Sequence, residues 1–160
     1  ENDKGYRMGT ETDAADFSNY MKPTKEKINI HKKNKAYVDK IARLCSENGA
    51  ELIFISTPST KNWNFKKHNA IAELSREMNL EYIDLNIKKE VPIDWSKDTK
   101  DKGDHLNYSG AVKVTGYLGA FFNQKGKLED HRHDSNYAEW GKAYNHFQKT
   151  CEKIKKSKEK

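Results

Sequence analysis

Apolar positions in this chain recur in blocks that switch between helical and strand spacing. Over residues 25 to 48, Val38, Ile41 and Cys45, with Tyr37 and Leu44 beside them, form one apolar stripe and predict a helix. Asn48-Gly49 supplies its stop, because glycine tolerates the left-handed C-terminal cap. The run Glu51-Leu52-Ile53-Phe54-Ile55-Ser56 is short and continuously apolar, the pattern of a strand covered on both faces. Thr57-Pro58-Ser59 ends it. Ile71, Leu74 and Met78 predict a second helix over about 65 to 79, and Tyr82-Ile83-Asp84-Leu85 a second strand. A strand, a helix and a strand joined by short connections predict parallel strands and a right-handed crossover.

Beyond Asn86 the pattern lapses through Gly103, in a stretch that carries Pro92, Trp95 and several aspartates. A third helix is expected over about 109 to 123, with Ala111, Val114, Leu118 and Phe121 on one face. After a polar loop, Tyr137, Trp140, Tyr144, Phe147, Cys151 and Ile154 alternate by three and four, a heptad seam rich in aromatics. The expected organisation is therefore an irregular arm (1–24), an α/β region (25–125), and a loop with a C-terminal amphipathic helix (126–160). That last helix is expected to pack on the body of the domain, with self-association through its seam as the alternative. Two strands make a small sheet, and both ask for neighbours. Either the arm adds a strand or the chain belongs to a larger domain.

Composition narrows the classes. Of 160 residues 34% are hydrophobic and 34% charged, so a core is possible but lean. No apolar run approaches the ~20 residues of a membrane span, and Glu1-Asn2-Asp3-Lys4 does not open a signal peptide. The net charge is +6, but 26 of the 30 basic residues are lysines scattered among 24 acids. Nucleic-acid readers favour arginine, whose planar fork pairs bidentately with phosphates and bases, so no nucleic-acid partner is expected. Cys45 and Cys151 sit on apolar faces and read as small hydrophobes. Asp130-His131-Arg132-His133-Asp134 alternates possible ligands, yet an arginine inside the cluster argues for a polar loop. No metal or other cofactor is expected. His31, His68 and His146 read as helix residues facing solvent or packing sideways.

The most informative stretch is Asp98-Thr99-Lys100-Asp101-Lys102-Gly103-Asp104-His105-Leu106-Asn107-Tyr108-Ser109-Gly110-Ala111. It follows a strand and precedes a helix, where open α/β sheets place their ligands. His105 has carboxylates one and four positions before it. A histidine, with an ordinary pKa near ~6.5, can serve as a general base when a carboxylate orients its ring. Asn107 and Ser109 are both plausible caps for the helix that follows.

Asp101-Lys102-Gly103-Asp104-His105-Leu106-Asn107, followed by Gly110-Ala111, resembles the closing block of SGNH/GDSL hydrolases, in particular their cell-surface branch in Firmicutes. The strands at 52–58 and 82–85 fit the same pattern, and the resemblance covers roughly residues 35–125. It implies a three-layer, flavodoxin-like α/β domain, or the C-terminal part of one, with a short parallel sheet flanked by helices. It implies an esterase or O-acyltransferase at the cell surface, acting on an acylated envelope glycan or a similar ester. His105 would be the base. The family's usual acid position, three before the histidine, holds Lys102, so Asp101 or Asp104 is expected to serve. Ser56, Ser59, Trp63 and Asn107 are expected to line the substrate cleft. No serine stands two residues after a glycine, so the family's Gly-Asp-Ser turn is absent, and the nucleophile is expected upstream of this chain.

Overall fold

A computed structural model describes residues 8–88 and 90–158. Residues 1–7 of the expected N-terminal arm lie outside the described residues. Among the described residues, four α-helices and two short strand pairs give a mixed α/β architecture. The chain divides into two compact units, and the division along the sequence falls inside one helix. The first is Gly9–Tyr117; the second holds Leu118 onward, together with Met8 among the described residues.

In the first unit, helix α1 (Lys32–Glu47) begins later than the hydrophobic pattern predicts. The reason is tertiary. The Nδ2 of Asn69 donates to the carbonyls of Thr24 and Glu26, and the Ile28 amide donates to the Lys66 carbonyl, which ties this irregular segment to residues 66–69 and keeps it out of the helix. His31 then caps α1, its Nδ1 accepting from the Lys33 amide. Gly49, at φ 66°, ends the helix as its sequence requires. The predicted inward stripe of α1 is only partly inward: Val38 and Cys45 are half-buried, while Tyr37, Ile41 and Leu44 are exposed.

Strand β1 (Ile53–Ser56) pairs in parallel with β2 (Glu81–Asp84), in the register Ile53 to Glu81 through Ser56 to Asp84. Between them runs α2 (Phe65–Glu77), capped by Asn64, whose side chain accepts from the Lys67 amide. Ala70 and Leu74 on α2, Ile83 and Leu85 around β2, Val91 and Val114 are the buried apolar residues of this unit. Among the described residues the sheet stops at these two strands.

The stretch expected to be irregular contains order that periodicity could not show. Strand β3 (Thr99–Lys100) pairs antiparallel with β4 (His105–Leu106) across the turn Asp101–Gly103. The described part of the arm adds no strand. It lies along this segment instead: the Asp13 and Ala15 amides donate to the carbonyls of Thr99 and Trp95, and the Thr99 hydroxyl donates back to the Asp13 carbonyl. Helix α3 (Tyr108–Lys125) follows β4 and crosses into the second unit.

The second unit carries a one-turn 3₁₀ segment, Ser135–Tyr137, and α4 (Ala138–Lys158). Asp134 caps the 3₁₀ turn through the Asn136 amide. On α4 the predicted seam is uneven: Cys151 is buried and Phe147 half-buried, whereas Trp140 and Tyr144 are exposed. Both cysteines are free thiols. No helix among the described residues is long and apolar enough to cross a membrane.

Candidate active site

His105 opens β4, immediately after the turn that reverses the chain from β3. Three consecutive residues of that turn have left-handed backbones: Asp101 and Lys102 at φ 54° and Gly103 at φ 86°. Only glycine adopts this region freely; aspartate and lysine there carry strain, and such strain gathers at functional sites. The effect is to fold the Asp101 carboxylate back over one turn. Its Oδ2 lies 3.1 Å from Nδ1 of His105. Asp104 stands farther off, its Oδ2 3.9 Å from the same nitrogen, and its Oδ1 accepts from the Asn62 side-chain amide. Of the two acids expected to serve, Asp101 is the nearer, and Asp104 is held by Asn62.

The pair faces solvent: the side chains of His105 and Asp101 are 63% and 59% exposed. Among the described residues nothing hydrogen-bonds Nε2 of His105. The turn is pinned from below by the loop that follows β1. The Thr60 amide donates to the Gly103 carbonyl at 2.9 Å, and the Ser59 hydroxyl donates to the Asp104 carbonyl at 2.9 Å. Gly103 is buried, and a Cβ on it would collide with Thr60 and Ala15. These bonds place His105 beyond the carboxyl end of β1, the side of an open α/β sheet where ligands bind.

Beside this open pair lies a closed one that the sequence did not reveal. Asp84, the last residue of β2, has a side chain 1% exposed. Its Oδ2 meets Nδ1 of His68 at 2.7 Å and accepts from Nε1 of Trp63 and the hydroxyl of Tyr82. Its Oδ1 accepts from the amide and the side chain of Asn86. Burial pushes the Asp84 carboxyl up, but the hydrogen bonds from Asn86, Trp63 and His68 outweigh it and leave it below the usual carboxylate range. Burial, with the Asp84 charge nearby, raises the hydroxyls of Tyr20 and Tyr82 above ordinary tyrosine. Asn86 carries the network outward, its Oδ1 accepting from the Tyr20 hydroxyl and the Ser59 amide. Of the two expectations for His68, facing solvent or packing sideways on its helix, the structure takes the packed one: it closes a buried polar cluster. Every member of that cluster is engaged within it, so it braces the sheet ends.

The residues expected to line a cleft are placed inside this bracing. Ser56 and Ser59 are buried; the Ser56 hydroxyl bonds that of Tyr82, and Ser59 is committed to the turn. Trp63 is half-buried and donates to Asp84. Asn107 is buried and acts as the cap of α3, its Oδ1 accepting from the Ser109 and Gly110 amides and its Nδ2 donating to the Lys97 and Glu11 carbonyls. Asp98, also buried, pairs with Lys113 and accepts from the Ser109 hydroxyl. Burial raises its carboxyl, but those bonds bring it below the ordinary value. In the 130–134 loop, Arg132 takes the Asp130 carboxylate, and His131 stacks on Tyr137. No group of three or more possible metal ligands gathers among the described residues.

No family model matches the chain, and no curated protein or solved structure is significantly similar to it.

Proposed function

We propose that the chain carries the base half of a serine-dependent ester site, in an esterase or O-acyltransferase of the SGNH/GDSL type. The reading rests on one observation: a histidine with an exposed side chain whose Nδ1 is held by a carboxylate across a strained left-handed turn. In this reading Nε2 of His105 takes the proton of a serine hydroxyl as its oxygen attacks an ester carbonyl. Asp101 fixes the ring and stabilises the imidazolium. Collapse of the oxyanion expels the alcohol, which receives that proton, and leaves an acyl-serine. Water or a second alcohol then takes the acyl group by the reverse sequence. Ser56 and Ser59 are buried and bonded internally, and in this reading the nucleophile is a serine outside this chain, as the missing Gly-Asp-Ser turn of the resembled family implies. The flavodoxin-like, three-layer arrangement and a cell-surface location with an acylated glycan as substrate belong to the same proposal.

The test is turnover of an activated acetyl ester by the chain joined to its preceding segment. We expect activity that falls at least about 10²-fold in His105→Ala, with a serine-directed phosphonate labelling one serine in a His105-dependent way. Turnover indifferent to His105→Ala overturns the assignment of the base. Complete inactivity with a folded product favours a non-catalytic surface or interaction module on the same fold.

A further inference from the structure

The loop after β1 reaches the His105 turn through backbone and side chain alike. The Thr60 amide and the Ser59 hydroxyl donate to the Gly103 and Asp104 carbonyls, and these two bonds already pin the turn. Asn62 adds a contact of another kind: its Nδ2 donates to Oδ1 of the Asp104 carboxylate. Its own backbone is fixed on both sides, the amide donating to the Ser59 hydroxyl at 3.1 Å and the carbonyl accepting from the Lys67 ammonium at 2.6 Å. Asp104 keeps its Oδ2 3.9 Å from Nδ1 of His105. Closing by under about 1 Å would bring it within hydrogen-bond range and set it against Asp101, which stands at 3.1 Å.

We propose that Asn62 is a positioning residue that reserves His105 for Asp101 by engaging the competing carboxylate of Asp104. An amide donor holds an anion by hydrogen bonding without adding a charge. Released, Asp104 would become a second acceptor at the same nitrogen. Two carboxylates on one imidazole favour the charged ring more than one does, and so leave less neutral base at a given pH. A ring shared between two acceptors can also take two orientations, whereas a base must face one proton. The role of His105 as a base rests on the proposed ester chemistry; the choice of carboxylate is a property of the turn and is read without turnover.

Proton NMR of the whole chain tests it, with the His105 ring identified by its loss in His105→Gln. Asn62→Ala should raise the pH at which this ring titrates by at least about 0.3, the size expected of one exposed ion pair. Asn62→Gln, which keeps the donor, should stay nearer the unsubstituted chain. Asp104→Asn should lower the midpoint at least about twice as far in the Asn62→Ala background as in the unsubstituted chain, because only there does Asp104 serve the ring. The other charges on the elements packed here are Lys100 and Lys102 in the hairpin, Lys61 in the loop, Lys67 on α2, and Asp13 and Asp16 on the arm; all are common to these chains. An equal effect of Asp104→Asn in both backgrounds overturns the inference. So does an unmoved midpoint in Asn62→Ala, or faster exchange of the Thr60 amide there, which would make Asn62 a staple of the turn instead. Failure of the ester test with this coupling intact would remove the base assignment and leave the choice of carboxylate standing.

Discussion

Asp101 reaches back across a single left-handed turn to put its Oδ2 3.1 Å from Nδ1 of His105, four residues ahead of it. Had Asp101 and Lys102 taken ordinary right-handed or extended backbones, this reversal between β3 and β4 would not close as it does. The contact is therefore a property of the turn as much as of the two side chains.

The turn sets the first prediction. Lys102 sits at φ 54°, where glycine carries no steric cost and a β-branched residue is strongly disfavoured. Lys102→Gly should be neutral or stabilising by up to about 1 kcal/mol, whereas Lys102→Val should cost about 1–2 kcal/mol. Urea midpoints at constant slope measure both. A loss in the glycine variant equal to that in the valine variant would show that the side chain, not the backbone, matters there.

Gly103 has less freedom. At φ 86°, with Thr60 and Ala15 where its Cβ would stand, Gly103→Ala should destabilise the first unit by more than about 2 kcal/mol. It should also free the Thr60 amide, bonded to the Gly103 carbonyl, to faster hydrogen exchange.

Asn107 satisfies two amides at the start of α3 and two carbonyls outside it. Asn107→Ala removes a helix cap and leaves buried groups unpaired. A cost of about 2–4 kcal/mol is expected, seen as a lower urea midpoint. A change below about 0.5 kcal/mol would mean that water replaces the amide.

Asp84 sets the acid limb of stability. Its carboxyl is held below the ordinary 3.8, so the unfolded chain binds the proton more readily than the folded one. Its contribution is therefore fully present above that ordinary value and is lost as the pH falls through it toward the folded value. Asp84→Asn should lower stability at neutral pH and flatten the decline between about pH 5 and pH 2. Unfolding free energies from urea titrations across that range measure the slope. An unchanged slope would assign the acid limb to other carboxylates, Asp98 first among them.

Much of the fold is written in local pattern. The strand runs at 53–56 and 81–84, the helix between them and the stop at Gly49 follow from spacing and caps alone, because each depends on neighbours a few residues away. The Asp-His block was equally legible, down to the two acids within reach of His105.

What only the tertiary structure decided depends on contacts between distant residues. Asn69 and Lys66 bind the backbone of 24–28 and delay α1, although the local periodicity fits a helix. The loop after β1 pins the left-handed turn and so makes Asp101, ahead of Asp104, the nearer partner of His105. Burial at the end of β2 draws His68, sixteen residues away, onto Asp84, since a carboxylate removed from water must find donors wherever the fold supplies them. Hydrophobic spacing reports which residues can turn inward together; it holds no information on which polar group will be waiting there.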